Sequence, residues 1–130
     1  MQYKLWSKKE KKFIKNGWIV FPDGRPFWIT YGEIDAGVYM KDYVLIKSTG
    51  IKNIDNIEIY EGDILKCKLY NGEYENYVIV WDEEEAGFDA LNEDKSNFML
   101  PSIWTVSEII GNIHENPELF YSDKGKKIEQ

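Results

Sequence analysis

Two side chains of this 130-residue chain could make a nucleophile and its base, the single Cys67 and the single His114. A working Cys–His pair needs a thiol whose pKa is lowered by a cation or a helix N-terminus. Cys67 stands in Ile64-Leu65-Lys66-Cys67-Lys68-Leu69-Tyr70, where a two-residue period puts Leu65, Cys67 and Leu69 on one face and Lys66, Lys68 and Tyr70 on the other. The thiol is therefore expected as a small core side chain, with His114 at the surface. The carboxylates Glu61, Asp63, Asp82, Glu83, Glu84 and Glu85 could supply an acid–base pair or a hard-cation site. They lack EF-hand spacing, and a solvated turn is the simpler reading. Neither G-x-G-x-x-G nor a G-K-[ST] phosphate loop occurs. One Cys and one His exclude an internal disulfide and a structural zinc site of N and S ligands. No catalytic residue, metal or cofactor is expected, and the chain is read as a non-enzyme.

The elements that would position these residues are strands. Short runs rich in Ile, Val, Tyr, Phe and Trp alternate with Gly, Asn, Asp and Pro, and no long segment keeps a 3.6-residue period. Tyr3 to Trp6 and Phe13 to Lys15 flank a Lys-rich turn as a first hairpin. Trp18 to Phe21 and Pro26 to Tyr31 flank Pro22-Asp23-Gly24 as a second. A strand from Tyr43 to Ser48 leads into a polar loop. Glu61-Gly62-Asp63 turns into the Cys67 strand, and Asn71-Gly72 predicts a type I′ turn, which needs positive φ at both residues, before a strand from Tyr74 to Trp81. Beyond the acidic turn lie Gly87 to Leu91, Asn97 to Leu100 and a strand around Val106 to Ile113. Asn116-Pro117-Glu118-Leu119 offers a cap, a Pro at the first helical position and an acid in the first turn, so one short helical turn is expected there. The residues from Ser122 onward are polar and expected to fray.

Charge is unevenly spread. Residues 1–16 carry Lys4, Lys8, Lys9, Lys11, Lys12 and Lys15 against Glu10, a net of +5; the whole chain is −7, so residues 17–130 hold −12. An acidic body argues against nonspecific coating of nucleic acid, which requires clustered cations, but leaves room for a local contact through residues 8–15. The aromatic content of 15% offers enough apolar surface to offset ordering entropy, so wholesale disorder is not expected. No run approaches the roughly 18 to 20 apolar residues of a spanning helix, so no membrane contact is expected, and the lone Cys suits a reducing compartment.

Three segments together resemble the YopX family, small proteins from phages and prophages of Gram-positive bacteria. The first is Tyr3-Lys4-Leu5-Trp6-Ser7-Lys8-Lys9-Glu10-Lys11-Lys12-Phe13. The second is Ser48-Thr49-Gly50-Ile51-Lys52 with Glu58-Ile59-Tyr60-Glu61-Gly62-Asp63-Ile64-Leu65. The third is Glu108-Ile109-Ile110-Gly111-Asn112-Ile113-His114-Glu115-Asn116-Pro117-Glu118-Leu119. The resemblance brackets about 120 residues. Where the family pattern has Asn-Gly, this chain has Asp55-Asn56, and Asn is the non-Gly residue best able to keep a left-handed turn. The resemblance implies a phage origin, a β-rich fold, no assigned activity and assembly into homo-oligomers.

These observations predict an all-β protein: a small, partly open SH3-like barrel over residues 46–120, preceded by N-terminal β-hairpins over 1–45 and followed by a flexible tail over 121–130, the whole forming one structural unit. Rolling the sheet closes its edges. The expected role is a cytoplasmic phage accessory protein in the bacterial host, binding its own copies or a host or phage protein. Trp6, Trp18, Trp28 and the turn lysines Lys8, Lys9, Lys11 and Lys12 are the candidate interface. Core burial competes with that role at each Trp, including Trp104. Ser48, Thr49, Gly50, Tyr60, Glu61, Gly62 and Asp63 form a candidate groove, weighed against turn geometry alone. One alternative is nucleic-acid binding through the Lys-rich turn with aromatic stacking, and another is an acidic mimic of duplex phosphate.

Overall fold

The computed structural model describes residues 2–121, and the chain divides into two compact units, Met1–Lys47 and Ser48–Gln130. The expected fraying from Ser122 onward lies outside the described residues. No helix among the described residues is long and apolar enough to cross a membrane.

In the first unit β1 (Tyr3–Ser7) pairs antiparallel with β2 (Lys12–Phe13), Trp6 opposite Phe13. The β3 (Trp18–Val20) and β4 (Pro26–Thr30) strands form the second expected hairpin, Trp18 opposite Trp28. A strand that was not expected, β5 (Glu33–Gly37), adds to β4 and is exposed along its whole length. The strand is short, Glu33 and Asp35 depress strand propensity, and although Ile34 and Ala36 alternate with these acids neither face is buried. The β6 strand (Tyr43–Lys52) pairs through residues 43–47 with β1 and continues past Ser48 into the second unit, where only a polar loop was expected.

In the second unit the far half of β6 pairs with β7 (Glu58–Tyr60) across a bulge between Ser48 and Lys52. Five further strands follow: β8 (Asp63–Lys68), β9 (Tyr74–Asp82), β10 (Gly87–Leu91), β11 (Phe98–Met99) and β12 (Glu108–Asn112). They form one antiparallel sheet in the order β11-β10-β9-β8-β12, curled into a half-barrel as the all-β, SH3-like expectation required. Its core is Ile59, Leu65, Cys67, Tyr77, Ile79, Ala90 and Trp104, all essentially closed to water. Each of the larger apolar side chains contributes roughly 1.5–3 kcal/mol by burial.

The Asn71-Gly72 turn is not type I′. Only Gly72 has positive φ (+91°), Gly72 N–H donates to Leu69 O at 2.9 Å, and Leu69 N–H donates to Glu73 O at 2.7 Å. The loop is thus three residues long, a type I turn closed by one left-handed residue. The same scheme recurs at Pro22-Asp23-Gly24 and at Ile54-Asp55-Asn56, where Asn56 takes φ +62°. The retained turn at Asp55-Asn56 was the outcome expected of Asn. A short helix, α1 (Pro101–Trp104), was not foreseen; it drops Trp104 into the core, with the indole N–H donating to Met99 O at 2.8 Å. The expected helical turn is a 3-10 turn at Pro117–Leu119, but Asn116 does not cap it by its side chain.

Candidate functional site

The residues of the second sequence motif come together around the β6–β7 pairing. Ser48 lies opposite Tyr60 in the ladder, and its buried hydroxyl accepts from Gly50 N–H at 2.9 Å. The Thr49 hydroxyl donates to Ile59 O at 2.7 Å and accepts from Ile51 N–H at 3.1 Å. Gly50 takes φ +78°, so the Ser-Thr-Gly triplet is a bulge whose two hydroxyls satisfy the backbone groups that the broken ladder leaves over.

The other half of the motif is built the same way. The Asp63 carboxylate is buried and accepts from Tyr60 N–H at 2.7 Å, closing the Tyr60-Glu61-Gly62-Asp63 turn. Gly62 has φ +87°; it donates to Ile79 O at 2.7 Å and accepts from Ile113 N–H at 2.9 Å, so its backbone is held from β9 and from the residue that follows β12. Burial, followed by the nearby charge of Glu58, raises the Tyr60 phenol above its usual pKa. Hydroxyls and acid therefore face backbone, which is the turn-geometry side of the expectation.

The third motif meets the second here. A Cβ added at Gly62 would stand 3.1 Å from His114 Nε2. The Asn112 carboxamide oxygen accepts from His114 N–H at 3.0 Å and Glu115 N–H at 2.8 Å, which fixes the loop carrying the imidazole. His114 is half-buried rather than a surface residue, and burial lowers its pKa against the opposing pull of Glu115.

Cys67 sits in the core with no exposure, its sulfur accepting from the Ser107 hydroxyl at 3.5 Å. Burial pushes its pKa up, with the Ser107 bond working the other way. A thiol held protonated inside the core is an inert packing group. Beside it lies a polar network that sequence reading missed. The Tyr77 hydroxyl donates to Glu75 at 2.7 Å and accepts from Asn97 at 2.9 Å, while Asn92 donates to Glu75 at 3.3 Å. Burial, reinforced by Glu75, pushes the Tyr77 phenol up to about 12. No local signal announces this network, because its members come from β9 and from the loop between β10 and β11.

Among the described residues one group could hold a cation: Asp82, Glu85 and Asp89, whose carboxylate oxygens lie within 4.8 Å of one another. Asp82 Oδ1 already accepts from Glu84 N–H at 3.0 Å, as a turn-closing acid does.

The candidate interface residues lie in the first unit. Lys8, Lys9, Lys11 and Lys12 are exposed on the β1–β2 turn, Lys12 lying 4.0 Å from Glu10. Trp6 is 7% exposed and packs edge-on against Phe13 at 4.9 Å, so it is a core side chain with little surface to offer. Trp18 and Trp28 are half-buried: the Trp18 indole donates to Ile14 O at 2.7 Å, and Trp28 meets Tyr43 edge-on at 5.2 Å. The freest rings of this unit are others, Tyr31 at 100% and Tyr39 at 62% exposure. A shallow groove of about 310 Å³ opens between Tyr3, Leu5, Phe13, Ile14 and Trp18, with Lys4 and Lys15 also lining it.

A family model described as YopX protein matches residues 2–121, nearly the whole chain. The chain belongs to the YopX family. This YopX chain is similar to the crystal structure of protein EF1440 from Enterococcus faecalis, with 28% identity, 92% of this chain and 96% of that one covered, and a TM-score of 0.59. It is also similar in fold to protein yopX from Bacillus subtilis, at 14% identity, 92% and 97% coverage and a TM-score of 0.62. None of the curated proteins matches it. The Ser-Thr-Gly and Tyr-Glu-Gly-Asp segments of this YopX chain lie within the matched residues, at backbone irregularities.

Proposed function

We propose that this YopX-family chain is a non-enzymatic phage or prophage accessory protein of the host cytoplasm that works by binding protein, its own copies first, through the first unit. One observation carries the reading. The β5 strand is an edge strand exposed at every residue, and Ile34 on it and Tyr31, Tyr39 and Met40 beside it are 54%, 100%, 62% and 43% exposed. An unpaired edge next to exposed aromatic and aliphatic side chains is a template for another strand, and two copies can satisfy it symmetrically by pairing β5 with β5. Tyr31 and Ile34 line one shallow depression with Thr30, Glu33 and Asp35, which would give such pairing a register.

Light scattering and crosslinking at micromolar concentration test the proposal. The expected result is a mass above the monomer that falls to the monomer in the Tyr31→Ser, Ile34→Lys double variant, with its unfolding temperature unchanged. A strict monomer that draws no partner from infected cells would overturn it.

A further inference from the structure

We infer that the groove beside the β1–β2 hairpin binds single-stranded nucleic acid, stacking a base on its aromatic wall while the surrounding lysines hold the phosphates; this site is separate from the β5 edge. The groove is lined by the aromatic residues Tyr3, Phe13 and Trp18 together with the aliphatic Leu5 and Ile14. A volume of about 310 Å³ open to solvent suits a flat group inserted from outside. Lys4 and Lys15 flank this apolar surface, and Lys4 Nζ stands 5.6 Å from the centre of the Phe13 ring, so cation and stacking surface adjoin.

The exposed lysines of the turn extend the same positive field. Lys12 lies three residues from Lys15, roughly 10 Å at strand spacing, which is about one Debye length in physiological salt. A ligand that carries flat apolar groups and regularly repeated negative charges matches both features. Single-stranded nucleic acid does so, because every base has a π-face and every nucleotide a phosphate.

An acidic peptide segment also carries anions and apolar groups, but its backbone N–H and C=O groups need partners once buried. The rings of the wall offer few partners for them: Trp18 Nε1 is already bonded to Ile14 O at 2.7 Å, which leaves the Tyr3 hydroxyl. A stacked base leaves its polar edges in water and makes no such demand. Stacking on a π-face is tolerant of sequence, and a duplex, with its bases already stacked, should bind less well. The net −12 of residues 17–130 opposes any polyanion at long range, so the contact is expected to be local and steeply salt-dependent.

The test is fluorescence anisotropy of the full chain with a labelled thymidylate oligomer of about 20 nucleotides, longer than one aromatic-lined site covers. Saturable binding that weakens with salt is expected. Lys4→Gln and Lys15→Gln should each lower the slope of log affinity against log salt by about 0.7. Tyr3→Leu, which keeps an apolar side chain but removes a ring, should weaken binding roughly tenfold. Circular dichroism of each variant confirms the fold. No binding at low salt would overturn the inference. Equal affinity for a polyglutamate peptide, unchanged by Tyr3→Leu, would also overturn it and assign the groove to acidic protein segments.

Discussion

His114 Nε2 lies 3.1 Å from the point a Cβ on Gly62 would occupy, so the imidazole of the third motif rests on the bare backbone of the second. Two constraints meet at Gly62, since its φ of +87° also disfavours any side chain. Gly62→Ala should cost about 1–3 kcal/mol, read as a lower urea midpoint with an unchanged slope. Gly72→Ala, where open space surrounds the position at φ +91°, carries the strain without the contact and should cost less.

The bulge at Thr49 depends on its hydroxyl. Thr49→Val keeps the shape and leaves both Ile59 O and Ile51 N–H without this partner, at about 1–3 kcal/mol in chemical denaturation. Thr49→Ser keeps the hydroxyl and should recover most of that loss.

The His114 pKa is lowered from 6.5 by burial, so the folded state binds its proton less well than the unfolded one. Its contribution is fully present above about pH 6.5 and is lost as pH falls through the lower folded-state value. Stability should therefore decline on acidification below about pH 6.5, before the carboxylates titrate. Urea midpoints measured across that range should flatten in His114→Gln.

The alkaline limb has the opposite sign. Tyr77, pushed up to about 12 from 10.0, keeps its proton when folded after the unfolded chain has released it. Stability should fall from about pH 10 towards 12, and Tyr77→Phe should blunt that fall while losing the bonds to Glu75 and Asn97.

Cys67, with no exposure and a raised pKa, should not react with a thiol reagent in the native protein at neutral pH. Full reaction in denaturant, counted spectrophotometrically, is the control; fast native labelling would contradict its placement.

Local chemistry by itself determined much of this protein. Apolar runs flanking turn residues announced the two N-terminal hairpins, alternation announced the Cys67 strand, and three segments resembled the family to which the chain belongs. Asn56 was legible as a left-handed turn residue because that preference belongs to a single side chain. Tertiary structure alone decided the rest. The β5 edge buries neither face of its short alternation, and α1 is held by Trp104 reaching the core rather than by helical periodicity. Glu75, Asn92 and Asn97 gather on Tyr77, and His114 settles on Gly62, only after distant strands pair. Sequence spacing encodes what a residue does to its neighbours in the chain; which remote groups a folded sheet delivers to it depends on register and curvature, which no local window contains.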